Sequence, residues 1–292
     1  MTPAARAVST ADGHALGATF FAPAKSAVGA VLIAPAMGVI QSFYAPLAGW
    51  LAEQGFLVAT FDYQGMGRSL QGRLRDVRAD IFDWARQDCA AMLEALSREA
   101  PALPLTWLGH SLGAQILPLG PNRQHVARVV TVAAGSGYWR ENAPGLRWRV
   151  WWLWYLVVPL ALRLAGYFPG RRLGLIGDLP GAVMAQWRRW CLDPEYAIGA
   201  EGEAVRAQYS ALTTPIVSLS FTDDEFMSAR NIESLHAFYT SAPRQMIRIA
   251  PRDVGERRIG HFGFFRDAFA PTLWARTAGW LSEFHLAKET TT

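Results

Sequence analysis

Cysteine and lysine are scarce in this chain, apolar runs of membrane-spanning length are absent, and no long run of adjacent like charges occurs. Cys89 and Cys191 lie far apart and in no Cys-x-x-Cys or Cys/His spacing, which excludes a disulfide framework and a structural zinc site. Lysine occurs only at Lys25 and Lys288, so the positive charge is almost all arginine, spread among acids to a formal net charge of +4 at a pI of 9.3. Without a basic stripe, no nucleic-acid partner is expected. Met1 to Phe21 has no apolar stretch of signal-peptide length behind a basic start, and a cytoplasmic location is the expectation. The run Val150 to Leu162 is uniformly apolar but falls short of the roughly 20 residues a spanning helix needs, and Pro159 interrupts it.

What remains is an ordinary globular composition, 51% apolar and 18% charged over 292 residues, enough to bury a sizeable core. Apolar strand-like runs alternate with helical spacing, the pattern of a mostly parallel sheet with helices on both faces. The expected strands are Ala30–Ala34, Phe56–Asp62, Leu105–Leu108, Val126–Ala133, Pro215–Phe221 and Gln245–Ile249. The expected helices are Tyr44–Gln54, Ile81–Glu99, Asn231–Tyr239 and Pro271–Phe284, with Cys89 a small core residue of the second. From Gly135 to about Arg206 the alternation stops in favour of a Trp- and Arg-rich, Pro-punctuated, mostly helical block. The expected division is therefore an α/β core at 1–134 and 207–289, with a helical cap inserted at 135–206. Only Thr290–Thr292 reads as an unstructured tail.

Leu105–Leu108 runs directly into Gly109-His110-Ser111-Leu112-Gly113, a Gly-x-Ser-x-Gly pattern between a strand and a helix. In such an elbow the sharp turn lifts the serine hydroxyl clear of the sheet, and the glycines keep side chains out of neighbouring backbone. A serine hydroxyl needs a base, and the base needs an orienting acid; in elbows of this kind the acid and then the histidine follow the serine. Of the histidines after Ser111, His125 precedes a strand, His236 lies in a helical pattern and His285 is near the end of the chain. His261 sits in a loop after the last strand and is the candidate base. The acid belongs after Pro215–Phe221, where Asp223 and Asp224 compete. Asp224 is favoured because Phe226 and Met227 then form the apolar pair that follows it, leaving Asp223 a solvated neighbour or turn former. The oxyanion needs two backbone N–H groups, assigned to Leu112 and, in the loop after Ala30–Ala34, to Met37. No metal or cofactor is called for.

Asp62-Tyr63-Gln64-Gly65-Met66-Gly67-Arg68-Ser69 resembles the Asp-x-Arg-Gly-x-Gly-x-Ser loop of the esterase, lipase-like and serine-aminopeptidase-like branches of the α/β-hydrolase superfamily, to which the chain is similar along nearly its whole length. Gln64 replaces the usual arginine, a departure that bears on loop rigidity. The Ala34-Pro35-Ala36-Met37-Gly38 loop, standing where many members have His-Gly, and Gly260-His261-Phe262-Gly263-Phe264-Phe265 together resemble a group of bacterial predicted α/β hydrolases.

The resemblance implies a serine hydrolase of the α/β-hydrolase fold that works through an acyl-enzyme. Its expected substrate is a small-molecule carboxylic ester with an apolar acyl or alcohol part. Thioesterase, amidase or aminopeptidase, and acyltransferase chemistry use the same triad, and a catalytically silent binding protein of the same fold is the alternative of another class. Within the cap, Trp151, Trp152, Trp154 and Tyr155 are the candidate substrate contacts. Arg147, Arg149 and Arg163 flank that run and also suit a lipid surface, a reading ranked below a cap over the site. Oligomeric state is not legible.

Overall fold

The computed structural model describes residues 3–282. Eight strands form one sheet: β1 (Ala4–Ser9), β2 (Ala15–Phe21), β3 (Gly29–Ala34), β4 (Phe56–Phe61), β5 (Leu105–His110), β6 (Val126–Val132), β9 (Ile216–Phe221) and β10 (Arg244–Ile249). A separate two-stranded ribbon pairs β7 (Tyr167–Phe168) with β8 (Leu179–Pro180). The sheet order is β1-β2-β4-β3-β5-β6-β9-β10, antiparallel at β1–β2 and β2–β4 and parallel elsewhere.

Strand character follows from residue type. β3, β4, β5 and β9 are buried at every position, as strands covered on both faces must be. Along β3, Val31 and Ile33 join the core on one face of the sheet, with Tyr44, Leu47 and Leu51. Ala30, Leu32 and Ala34 point to the other, towards Trp84, Met92 and Trp107. Each fully buried Leu, Ile or Val contributes about 1.5–3 kcal/mol, so the two cores hold the sheet between them. The 81–99 helix starts at a capping box between Asp80 and Asp83 and carries a wider π turn at Trp84–Asp88. The β1–β2 hairpin was not among the expected strands. β1 is almost wholly exposed and alanine-rich, so burial leaves no periodic mark on it.

Chain order places the site. β3 is flanked by β4 and β5, so the chain leaves β3 to one side and returns on the other, opening a crevice beyond the carboxyl ends of β3 and β5. Ala34 pairs with Gly109 and His110 with Val132, which brings the loops after β3, β5 and β6 to that end.

The central block carries helical segments Arg147–Trp152, Leu153–Val157 (a π turn) and Val158–Ala165 in one continuous run, then Gly181–Leu192, Tyr196–Glu201 and Glu203–Ser210. The last helix passes the expected boundary at 206. Tyr196 and Tyr209 donate to the side chain and carbonyl of Gln115, beside the elbow, so this end of the block packs on the sheet domain. Elsewhere the block meets the site loops: Gly177 N–H donates to Gly38, and Ala143 N–H to Phe226. Cys89 and Cys191 are free and buried. His285, the end of the last expected helix at Phe284 and the Thr290–Thr292 tail lie outside the described residues.

Candidate active site

β5 runs two residues further than its apolar stretch predicts, through His110, and Ser111 follows at φ 49°, ψ −115°. A non-glycine residue in that left-handed region is strained by about 1–3 kcal/mol and persists only where its surroundings impose it. They do so here. A Cβ on Gly113 would collide with the carbonyl of Ala34, and one on Gly109 with the backbone of Ala114, so strand, turn and helix close on one another only through glycine. Ser111 N–H donates to Val132 (3.0 Å), and Ala114 N–H to Ser111 (3.0 Å).

His261 lies not in an open loop but in one helical turn, Gly260–Gly263, entered through Gly260 at φ 66°. Its Nδ1–H donates to Asp224 Oδ2 at 2.9 Å, and the two side chains are 5% and 2% exposed. Asp224 Oδ1 accepts the N–H groups of Phe226 (2.8 Å) and Met227 (2.9 Å), so the carboxylate is held from both sides. Asp223 is no solvated bystander. Its Oδ2 accepts the N–H groups of Ile259 (2.8 Å) and Gly260 (3.1 Å), and Glu225 Oε2 accepts that of His261 (3.1 Å). Three consecutive acids therefore grip the histidine segment. Proximity in sequence disguised this, because either aspartate satisfies the spacing.

The Ser111 hydroxyl makes no hydrogen bond to His261 Nε2 among the described residues. The two are linked through His110, whose ring stands 5.2 Å from that of His261. Burial, helped by the neighbouring His261, holds the His110 pKa well below the usual imidazole range, so the ring is neutral. One tautomer fits its partners: Ala36 N–H donates to Tyr44 Oη (2.8 Å), Tyr44 O–H donates to His110 Nδ1 (2.9 Å), and His110 Nε2–H donates to the His261 carbonyl (3.1 Å). This chain ties the loop after β3 to the elbow and to the histidine turn. It was not legible in the sequence, since His110 is the free position of the elbow pattern.

Met37 and Leu112 are both buried, and neither N–H has an acceptor among the described residues. Leu112 opens the helical turn after the elbow, where an N–H has no intrahelical partner. The contact of Gly113 with Ala34 and Pro35 brings the loop carrying Met37 against that turn.

The Asp62–Ser69 loop is a scaffold. Asp62 accepts N–H groups from Gln41 (2.7 Å) and Arg68 (2.9 Å), and a Cβ on Gly67 would strike its carboxylate. Gln64 N–H donates to Asp88 (2.8 Å), yet Gln64 Nε2 and Asp88 Oδ1 are buried without partners. Burial pushes the Asp88 carboxyl well above its usual range, and the Gln64 hydrogen bond offsets this only in part.

A cavity of about 1680 Å³ lies between the helical block and the site loops, walled by Gly38, Phe226, Met227 and Phe262 on one side and by Val150, Trp154 and Met184 on the other. Of the four expected aromatic contacts, Trp152 and Trp154 line it; Trp151 and Tyr155 instead pack on each other at a tilt, ring centroids 5.4 Å apart. Helical phase separates them: 151 and 155 fall on one side of the helix and 154 on another. No group of acids, cysteines and histidines suited to a metal ion occurs among the described residues.

A family model described as serine aminopeptidase, S33, matches residues 25–170, half of the chain, from β3 through the elbow into the central block. The chain belongs to that family. As an S33 member it is an α/β hydrolase, and solved structures share its fold over nearly its whole length. A soluble variant of monoglyceride lipase from Saccharomyces cerevisiae superposes with a TM-score of 0.69 at 17% identity, covering 99% of this chain and 97% of that one. The esterase Pf2001 of Pyrococcus furiosus gives 0.61 at 12% identity, covering 96% and 89%. The esterase domain of a Rhodothermus marinus protein gives 0.60 at 15% identity, covering 96% and 99%. No curated protein matches the S33 chain in sequence.

Proposed function

We propose that this protein hydrolyses carboxylic esters with an apolar acyl or alcohol part, through an acyl-enzyme on Ser111. The observation that carries the reading is the buried Asp224–His261 pair beside a serine held at a strained turn. His261 Nε2 takes the proton from the Ser111 hydroxyl as its oxygen attacks the carbonyl carbon, then passes it to the departing alcohol oxygen. Water then attacks the acyl carbon as His261 Nε2 takes its proton, and that proton passes to the departing Ser111 oxygen, which frees the acid and restores the enzyme. Asp224 keeps the Nδ1–H tautomer and faces the positive charge that develops on the ring. The N–H groups of Met37 and Leu112 receive the negative charge on the carbonyl oxygen. No cofactor takes part.

Ester rather than peptide is favoured by what lines the cavity. An aminopeptidase needs a free carboxylate for the substrate's ammonium, but Glu225, the acid that reaches this cavity, already accepts the His261 N–H and pairs with Arg258 at 3.4 Å. The solved neighbours named as lipase and esterases support the same class. The central block, 135–206, acts as the cap whose apolar wall, Trp154 included, receives the substrate.

A fluorophosphonate probe should label Ser111, and Ser111→Ala should lower turnover on a good ester by roughly four to six orders of magnitude. Labelling mapped to another serine, or near-normal turnover by folded Ser111→Ala, overturns the assignment. Across a panel of esters, thioesters and aminoacyl amides, each added acyl methylene should raise kcat/KM by up to about fourfold until the cavity fills, as burial of about 0.8 kcal/mol per methylene requires. Trp154→Ala should blunt that rise. Best activity on acetyl esters, unaltered in folded Trp154→Ala, shows that the cap does not select substrate.

A further inference from the structure

The 147–165 helix is apolar on two faces. Val150, Trp154 and Val158 turn inward and are buried. Outward stand Trp148 at 78% exposure, Trp152 at 55%, Leu156 at 50%, Leu160 at 51% and Leu164 at 75%. Residues four apart drift about 40° per step around an α-helix, and the wider π turn at Leu153–Val157 takes back part of that drift, so the five form one ridge. Leu173 and Leu175, also exposed, lie in the loop between β7 and β8. A monomer in water has no use for such a ridge.

Charge says what covers it. From Asn142 to Gly177 there is no acidic residue, and Arg147, Arg149, Arg163, Arg171 and Arg172 give this stretch +5, more than the +4 of the whole chain. None of the five forms an ion pair among the described residues. A second copy fits badly, since self-pairing sets the same arginines against one another. Trp152, Arg149, Arg171 and Leu175 belong both to this face and to the lining of the cavity, so the cavity opens where the ridge lies.

We infer that the outer face of the 147–165 helix, with the Arg171–Leu175 loop, docks on a lipid bilayer that carries anionic headgroups. The ridge enters the boundary between headgroups and acyl chains, the arginines meet the phosphates, and the tryptophans sit at headgroup level. The contact is peripheral, because no described helix is long and apolar enough to cross a membrane. Docking turns the cavity mouth to the lipid, so that an apolar ester passes from bilayer to cavity without crossing water. That passage rests on the ester-hydrolase reading; the docking does not.

The test is flotation of the full chain with vesicles of phosphatidylcholine alone and with about one third phosphatidylglycerol. Wild type and Ser111→Ala should both float with the anionic vesicles, less with the neutral ones, and less in high salt. The triple variant Trp148→Ser, Leu160→Ser, Leu164→Ser changes none of the cavity-lining residues. It should lose vesicle binding by about tenfold or more while keeping its melting temperature and its turnover of a short soluble ester. Arg163→Gln with Arg172→Gln, which takes this stretch from +5 to +3, should weaken the preference for anionic vesicles. Absence of anionic-vesicle binding by wild type and Ser111→Ala overturns the docking, as does undiminished binding by the triple variant. An oligomer that the triple variant converts to monomer overturns it in favour of a protein partner. Vesicle binding without ester hydrolysis retains the docking and removes only the delivery of substrate.

Discussion

Asp223, Asp224 and Glu225 are chemically alike and adjacent, yet each holds a different atom of the histidine segment. Only Asp224 touches the imidazole, so its replacement should act on the chemical step. Asp224→Asn is expected to lower kcat by roughly 10⁴ with little change in KM, because the amide stabilises the wrong tautomer. Asp223→Ala unpairs the N–H groups of Ile259 and Gly260 and loosens the turn that carries His261. It should cost about 1–3 kcal/mol of stability and a smaller part of the activity. Thermal unfolding and steady-state kinetics on both variants separate the roles, and equal kinetic damage with no loss of stability in Asp223→Ala contradicts them. That Asp224 faces His261 and binds the N–H groups of Phe226 and Met227 was legible in that apolar pair. The clamp made by Asp223 was not, because it depends on where β10 returns the chain.

At the level of elements, the elbow is a packing problem solved by small residues. The turn after β5 can close on β3 only if position 113 has no side chain, since a Cβ there would lie inside the Ala34 carbonyl and 2.7 Å from that of Pro35. Neither atom is the free end of a side chain, so neither can give way cheaply. Gly113→Ala is therefore expected to destabilise the protein by at least about 2–3 kcal/mol and to displace the N–H of Leu112, lowering activity even in the folded fraction. A Gly113→Ala protein with the melting temperature and turnover of wild type refutes this account. The strand-to-helix context of the elbow was readable from Leu105 to Gly113, but the β7–β8 ribbon and the β1–β2 hairpin were not. Two-residue strands and an exposed alanine-rich edge carry no periodic signal.

On the scale of the whole molecule, buried neutral histidines make folding sensitive to acid. His236 donates through Nδ1–H to the Ile232 carbonyl (2.8 Å) and accepts at Nε2 from Thr131 (3.1 Å). Burial lowers its pKa from 6.5 to about 4. As pH falls, the unfolded chain takes up the proton first, so this stability is intact above the unfolded value and is progressively lost down to about 4. The loss approaches about 3 kcal/mol. His110, also held neutral by burial, acts in the same direction. Urea unfolding between neutral pH and about pH 5 should show the decline, and His236→Gln should have a shallower one; identical slopes contradict the assignment.

Sequence by itself determined the fold class and singled out one serine and one histidine as candidates, because strand periodicity, glycine at an elbow and the order of acid and base along the chain are local or ordered properties. It also located the apolar block that became the wall of the cavity. Tertiary structure alone decided which faces of that block turn inward. A run that is apolar all round has no periodicity from which to read a face, so Trp154 went inward and Trp148 outward only when the helix packed on Trp187 of the 181–192 helix. The same holds for the link from Ala36 through Tyr44 and His110 to His261. Its members are spread from residue 36 to 261, and only the parallel pairing of β3, β5 and β6 brings them within hydrogen-bond reach.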